Sequence, residues 1–509
     1  MKKGWHIWGE AWGRWLPPLG WALLMGLAVL FRLSDLGARN LWSDEAWVAL
    51  AVLKPTVTEA LAAGQSTPPF YLLTLWLLTQ VFGGSEVVLR SLSFAFGVGT
   101  VLLFWPLARR LTSPAAAWLG LTAVTFAPVL VYFSKELKQY SGDAFFAVLV
   151  ALLTERFLER PGRGRLVLLA AAGALGLGFS HPLIFVLPVA GLIAYGGAPA
   201  WRRWLLAVAG FWAASFLGCY LAFFRHQVNP ELVSYWSREF PDFSSLPAFA
   251  SWLAGALSRY FHYFFGDYAA WWTPLALMAG LWALKPPRRT RLLLYLGGPL
   301  FLAFLAAALH RYPFMARYNG SRLLLFSAPF LYLGAAAGVA LAVSRLHEWR
   351  RGAAWGLALL LLASLQPLST VKENLHPSLQ RRQIAPLVAR LEREFGPRDL
   401  LYVYHYAVHP FRYYRPDFPP EQVRFGATVL DKNLFPGEEE EDDDDEPPER
   451  VWLLAAHFPG GDFLDTFAAG LLGPGWRPAV RYQEPGAALI CFQRDNRLTA
   501  RQQAEPGPP

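Results

Sequence analysis

The chain has 509 residues, of which 54% are hydrophobic, 16% charged and 15% aromatic, and its net charge is +9. A soluble domain carries about 25% charged residues, so this composition excludes an ordinary soluble globular protein and points to a bilayer. The basicity is local: residues 1–369 hold 30 Lys and Arg against 15 Asp and Glu, whereas residues 370–509 hold 16 against 22. An excess of positive charge confined to the apolar part reflects membrane orientation and argues against a nucleic-acid partner.

The N-terminus is basic, with Lys2, Lys3 and Arg14 ahead of the first apolar segment. No small-residue cleavage site follows, so that segment reads as an anchor. A crossing helix needs about 17–25 apolar residues. The pattern predicts eleven spans, near 15–31, 91–108, 115–133, 143–158, 166–180, 182–198, 204–224, 269–284, 292–309, 323–343 and 353–369. Residues 69–82 are apolar but short. If they do not cross, Arg109–Arg110, Arg156–Arg165, Arg202–Arg203, Lys285–Arg291 and Arg345–Arg351 all fall on the cytoplasmic side with the N-terminus. If they cross, every cluster switches to the outside, against the positive-inside bias. Residues 69–82 are therefore expected as a juxtamembrane or re-entrant helix. Long outer loops are expected at 33–68 and at 225–268.

The fold class that follows is a polytopic α-helical membrane protein of about eleven transmembrane helices, residues 1–369, with a small extracytoplasmic α/β domain at 370–509. In that domain Ile384, Leu387, Val388 and Leu391 recur at helical spacing, and strands are expected at 399–404, 451–456 and 486–492. A helical or irregular aromatic stretch falls around 405–414. Residues 438–446 are consecutive acidic residues, expected as a disordered loop because such a run repels itself. The localisation expected is the inner (plasma) membrane, multi-pass.

The chemistry-bearing residues gather on the outer side. Asp44 and Glu45, in Leu41-Trp42-Ser43-Asp44-Glu45-Ala46, stand just beyond the first span. A carboxylate at a low-dielectric boundary can serve as a general base; the plainer reading is a helix cap or a solvated pair. Pro68–Pro69 stops one segment and starts the next. Residues 132–143 then interrupt the apolar pattern with Lys135, Glu136, Lys138, Gln139, Tyr140 and Asp143. Lys135, Lys138, Arg225, Arg259, Arg311, Arg317 and Arg322 are cations on the wrong side of the charge rule. A lipid phosphate would account for them through charge-assisted hydrogen bonds, as would ordinary phospholipid headgroups. His181, before Pro182, lies at another outer boundary. His405 and His409 lack a third metal ligand. Cys219 and Cys491 form no zinc or redox pattern. No phosphate-gripping Gly-Lys-Ser/Thr loop or dinucleotide fingerprint occurs.

Three motifs in order carry a resemblance: Arg32-Leu33 followed by Trp42-Ser43-Asp44-Glu45-Ala46; Pro68-Pro69-Phe70-Tyr71 followed by Gly83-Gly84 and Arg90-Ser91-Leu92; and Ser134-Lys135-Glu136 leading to Tyr140 and Asp143. The chain resembles the GT-C integral-membrane glycosyltransferases, in the bacterial branch of protein O-mannosyltransferase-like, aminoarabinose-transferase-like and galacturonosyltransferase-like enzymes. The match spans residues 15–143; the later spans agree in general layout.

The resemblance implies transfer of a sugar from a polyprenyl-phosphate donor to a lipid, polysaccharide or protein acceptor at the outer face, with inversion. Asp44 would be the base, Glu45 its partner and Asp143 a second acidic residue. Lys135, Lys138, His181 and Arg322 would handle the donor phosphate. Relatives commonly have His before the paired prolines; here it is Thr67. Some relatives use a divalent metal and others do not, so a hard-cation site at Asp44, Glu45 and Asp143 stays open. Two rival classes are a transporter or lipid flippase, which would place ionisable residues deep within spans, and a non-catalytic envelope assembly protein.

Overall fold

The structure is a computed structural model. It describes residues 2–64, 66–227, 236–314, 320–350, 371, 382–427, 448–460 and 462–494. The expected span at 353–369, Arg317 and the acidic run 438–446 lie outside these residues. The chain divides into two compact units, one formed by residues 1–36, 60–83 and 87–376, the other by 37–59, 84–86 and 377–509.

The first unit is helical. Its elements are α1 (Lys2–Leu33), α4 (Pro69–Phe82), α5 (Glu86–Leu111), α6 (Pro114–Phe126), α7 (Pro128–Phe133), α8 (Tyr140–Glu159), α9 (Arg163–Leu177), α10 (Leu183–Gly197), α11 (Arg202–Cys219), α12 (Leu246–Ala269), α13 (Thr273–Ala283), α14 (Arg288–Ala308) and α15 (Ala328–Trp349). The short helices α2 (Ser43–Val52) and α3 (Val57–Ala63) lie between α1 and α4. Ten of the eleven expected spans coincide with described helices, and the protein is a multi-pass membrane protein. Among the described residues four helical stretches, Glu86–Leu111, Pro199–Gln227, Arg288–Ala308 and Gly320–His347, are long and apolar enough to cross by themselves. The last is 83% buried by its neighbours and Pro199–Gln227 only 17%, so one runs through the centre and the other faces lipid. Exposed Leu206, Phe211 and Leu217 on α11 would be intolerable in water and are ordinary against hydrocarbon.

Residues 69–82 form one fourteen-residue helix, α4, started by Pro69 and closed at Gly83, whose φ is +78°. Leu77, Val81 and Phe82 are exposed on it. The stretch 225–268, expected as a loop, instead contains α12. Ser245 caps it by accepting from the Ala248 N–H, and Pro247 sits in its first turn. Its aromatics Tyr260 and Phe264 are buried. Tyr density that marks a membrane interface here also serves a helix face.

Two local devices hold the bundle. Pro128 has no N–H for the Val124 carbonyl, so the helix breaks between α6 and α7. Buried Arg32 donates instead to Val124 O at 3.1 Å and Thr125 O at 3.2 Å, and to Ala28 O at 3.2 Å in its own helix. Between α13 and α15, backbone meets backbone: a Cβ on Gly280 would strike the Gly334 carbonyl, and one on Gly338 the Ala276 carbonyl. The Gly334–Gly338 spacing is the small-xxx-small pattern that lets membrane helices pack closely.

The second unit contains a five-stranded sheet, with β1 (Asp399–Val403), β2 (Val423–Phe425), β3 (Arg450–Ala456), β4 (Trp476–Glu484) and β5 (Ala487–Arg494) in the order β2-β1-β3-β5-β4. β1 is parallel to both β2 and β3; β5 is antiparallel to β3 and β4. Alternation along the strands serves two faces. Leu401, Val403, Trp452 and Leu454 pack with α16 (Ala385–Glu394) and α17 (Val408–Tyr414). Tyr402, Val451 and Leu453 pack with α18 (Phe463–Leu472). The early segment 37–59 is part of this unit: α2 lies against α17, Trp47 stacks on His409 at 5.2 Å, and Asn40 Oδ1 accepts from the Ala385 N–H that opens α16. Tyr414 accepts from Leu41 N–H at 2.9 Å and donates to Glu86 at 3.1 Å.

Candidate active site

In the first unit three turns are tied to one another. Gln227 Nε2 donates to Thr67 O at 2.9 Å, and Gln139 Nε2 to Ser66 O at 3.3 Å. Phe70 N–H donates to Gly178 O at 2.8 Å. Tyr71 and Ser93 share a 2.8 Å hydrogen bond, and Ser93 donates to Lys138 O. The paired prolines thus start α4 where it meets the 134–139 turn and the 178–182 turn. Thr67, just ahead of the paired prolines, is fully buried and part of this junction.

The 134–139 turn, expected as a polar outer surface, is largely buried. Ser134, Lys135, Glu136 and Gln139 are all under a tenth exposed, and Lys138 is half-buried. α8 begins directly after it with Tyr140 and carries Asp143 in its first turn, where a helix N-terminus favours a carboxylate. Around Tyr140 stand groups from distant segments. Arg322, in the 3-10 segment Gly320–Ser327, lies over the Tyr140 ring at 5.3 Å. Tyr312 is in electrostatic range of Asp143 and Tyr140, and Tyr263 of Arg322, Glu136 and Tyr132. The Ser180 hydroxyl faces the Asp143 carboxyl without closing to hydrogen-bond geometry. Asp143 Oδ1, Ser180 Oγ and His181 Nε2 are buried with no hydrogen-bond partner among the described residues. Burial pushes the His181 imidazole down to about 4, so it is neutral at physiological pH and offers a hydrogen bond rather than a charge. Its ring meets Phe224 edge-on at 4.9 Å.

Asp44 and Glu45 belong to the second unit. They fill the first turn of α2, after Trp42 at the N-cap position. Glu45 is buried and Asp44 partly exposed. Asp44 is an electrostatic neighbour of His457, a residue that sequence pattern did not single out. Arg382 lies over the Trp42 ring at 4.3 Å, and Trp42 approaches His457 at 6.4 Å. Tyr263, Tyr312, Arg382 and His457 were invisible as site residues because each reaches its neighbours only through tertiary contact. Among the described residues no group of three or more His, Cys, Asp or Glu side chains is placed to hold a metal ion.

The family of dolichyl-phosphate-mannose-protein mannosyltransferases matches residues 66–224. No curated protein matches the chain in sequence. Solved structures align over nearly its whole length. ArnT from Cupriavidus metallidurans in the apo state is 14% identical, with a TM-score of 0.53 over 93% of this chain and 98% of that one. The same enzyme bound to undecaprenyl phosphate gives 14% and 0.51 over 92% and 97%. The apo oligosaccharyltransferase of Archaeoglobus fulgidus gives 11% and 0.50 over 94% and 74%. The chain therefore shares the fold of these solved structures over nearly its whole length, and the stretch 66–224 that matches the mannosyltransferase family takes in the paired prolines and Asp143.

Proposed function

We propose that this protein is a glycosyltransferase that moves a sugar from a polyprenyl-phosphate donor to a lipid, polysaccharide or protein acceptor at the outer face of the membrane. The observation that carries the reading is the group around Tyr140. Arg322, Asp143, Ser180 and His181 bring a cation and unsatisfied buried polar atoms to one place, in a fold shared with an ArnT that binds undecaprenyl phosphate. Buried polar atoms in native proteins are normally satisfied; a phosphate headgroup and sugar hydroxyls satisfy these. Arg322, with Lys135 and Lys138 in the turn before Tyr140, supplies positive charge, and neutral His181 donates through Nε2.

The reaction needs little beyond this. The acceptor oxygen attacks the anomeric carbon, and the bond from that carbon to the phosphate oxygen breaks. The electron pair leaves with polyprenyl phosphate, where charge stabilisation replaces protonation. Asp44 takes the acceptor proton, with Glu45 beside it in the helix turn. The basic clusters support a cytoplasmic N-terminus. Residues 1–369 then form the membrane catalytic part, and residues 370–509 lie outside it, beyond the plasma membrane.

The test uses purified protein in nanodiscs, radiolabelled undecaprenyl-phosphate sugars and a membrane glycolipid extract. Label should move to an acceptor, and Asp44→Asn should slow transfer about 10²–10⁴-fold, the usual contribution of a general base. Full activity in that variant would refute the role of Asp44.

A further inference from the structure

Strands β1, β2 and β3 are parallel, with β1 between the other two. The chain leaves β1 for α17, on the face where Leu401, Val403 and Leu454 pack. It leaves β3 for α18, on the face where Tyr402, Val451 and Leu453 pack. Two neighbouring strand ends, at Val403 and Leu454, thus send the chain in opposite directions. Such a switch point opens a crevice beyond the carboxyl ends of the strands, and there α/β sheets bind their ligands. All of the residues concerned belong to the second unit.

Here the crevice is lined with rings. Tyr404, His405 and Tyr406 follow β1, and His457 follows β3. The His405 ring lies 4.6 Å from Tyr404 and 3.8 Å from Tyr406, and Tyr406 meets His457 edge-on at 5.0 Å. Trp42 continues the arc, 6.4 Å from His457, with the Arg382 guanidinium over its ring at 4.3 Å. The domain has a core for such rings: Tyr402, Phe411 and Trp452 are 3% exposed or less. Along the arc Trp42, His405 and Tyr406 are instead half-buried, and His457 is exposed.

The backbone holds this arc against its own preference. His457 has φ +54° and Arg382 φ +64°, both in the left-handed region that side chains other than glycine rarely adopt. Both are fixed to the tip of the β4–β5 hairpin: Gln383 N–H donates to Pro485 O at 3.0 Å, and His457 N–H to Gly486 O at 3.1 Å. Strain of this kind persists where the surroundings over-determine it, and it clusters at ligand clamps.

We propose that this switch-point crevice is a carbohydrate-binding site that takes an uncharged sugar ring of a glycan. A pyranose has an apolar C–H face and a rim of hydroxyls. Tyr, Trp and His match it, each with an apolar body and a polar tip. An anion fits less well. α18 opens with Asp462 at its N-cap and Asp465 in its first turn, so carboxylates already answer the positive end of that helix. The Arg382 charge is laid on the Trp42 ring. In a transferase the bound sugar belongs to a glycan acceptor; that role rests on the reading above, and the binding itself does not.

The test uses the full-length protein in nanodiscs with no sugar donor present. Diethyl pyrocarbonate modifies accessible histidines, and mass spectrometry reads each site. Mannotriose and maltotriose are the uncharged probes, trigalacturonate and inorganic phosphate the anionic ones, each at about 10 mM to fill a site of millimolar Kd. At least one uncharged trisaccharide should slow modification of His405 and His457 about threefold or more, while His226 of the first unit reacts as before. Tyr406→Ala should abolish the protection, and Tyr406→Phe, which keeps the ring, should retain most of it. His457→Asn, read at His405, should weaken it severalfold, since Asn accepts the left-handed backbone. Hydrogen exchange of β1 and β3 checks that the variants are folded. No protection of wild-type protein by either trisaccharide, full protection in folded Tyr406→Ala, or stronger protection by either anion overturns the proposal. If a trisaccharide protects but a labelled donor gives no transfer, the binding site stands and the transferase reading fails. Transfer without protection does the reverse.

Discussion

Removing the Asp399 carboxylate should loosen the C-terminal domain by about 3–5 kcal/mol, the usual cost of breaking a buried ion pair. Asp399 is 4% exposed and opens β1 opposite Arg450 of β3. It accepts from Arg450 Nε at 2.9 Å and Arg450 Nη2 at 2.7 Å. It also accepts from Trp452 Nε1 at 2.9 Å and the Gly396 N–H at 2.8 Å. In Asp399→Ala the guanidinium, itself partly exposed, can rehydrate, which holds the ion-pair loss near the lower end of that range. Trp452 cannot: its indole is 1% exposed, and a buried N–H without an acceptor costs about 1–3 kcal/mol. Asp399→Asn keeps an acceptor and loses only the charge, so about 1–2 kcal/mol is expected. Hydrogen exchange of the full-length protein in nanodiscs measures this locally. Amides of β1 and β3 should exchange roughly a hundred- to several-thousand-fold faster in Asp399→Ala, at about 1.4 kcal/mol per tenfold, while α5 and α15 keep wild-type protection. Unchanged protection in β1 and β3 would show that the Asp399 bonds do not set the β1–β3 register, and the reasoning above would fail.

Two further expectations concern other parts of the molecule. Gly338→Leu places a side chain where the Ala276 carbonyl stands; overpacking costs about 1–3 kcal/mol or more, so the melting temperature should fall sharply and Gly338→Ala should lie between. An unaltered melting curve for the leucine variant would disprove the close α13–α15 crossing. The third prediction is a pH dependence. The folded-state pKa of His457 lies below the ordinary histidine value of about 6.5, so the unfolded chain binds the extra proton. The domain therefore has its full stability above about pH 6.5 and loses it as pH falls through the lowered value. Hydrogen exchange at pH 7.5 and 5.5, corrected for intrinsic rates, should show this loss in wild type and less of it in His457→Asn. Equal slopes in the two proteins would contradict it.

Much of the helical fold was legible because membrane helices are written as long apolar runs. Charge parity gives the expectation that residues 69–82, the short helix α4, do not cross, since one extra crossing would invert every basic cluster. In the C-terminal domain the buried strands β1 and β3 were readable as apolar runs. β2 is three residues long, and β4 is an exposed edge whose residues Arg477–Arg481 show no burial alternation; neither leaves a hydrophobic signal. α18 did leave one, with Leu464, Phe467, Ala468 and Leu471 on one face, yet it is absent from the elements read off the sequence. The candidate site was only half visible. Asp44, Asp143 and Arg322 stand out as charges in an apolar chain, whereas Tyr312 and His457 are ordinary residues until the fold supplies their neighbours.

The second unit draws on residues 37–59, 84–86 and 377 onward, and this has a consequence for biosynthesis. The turn bearing Asp44 emerges early, but α17, which covers α2, is made only after some 360 further residues. At about 5–20 residues per second that delay is roughly 20–70 s. During it the inner face of α2, with Ala46, Val48 and Ala49, has no permanent cover. A chain stopped before residue 377 would insert its described spans yet never seat Asp44. Completion of the last segment therefore acts as a checkpoint on the first.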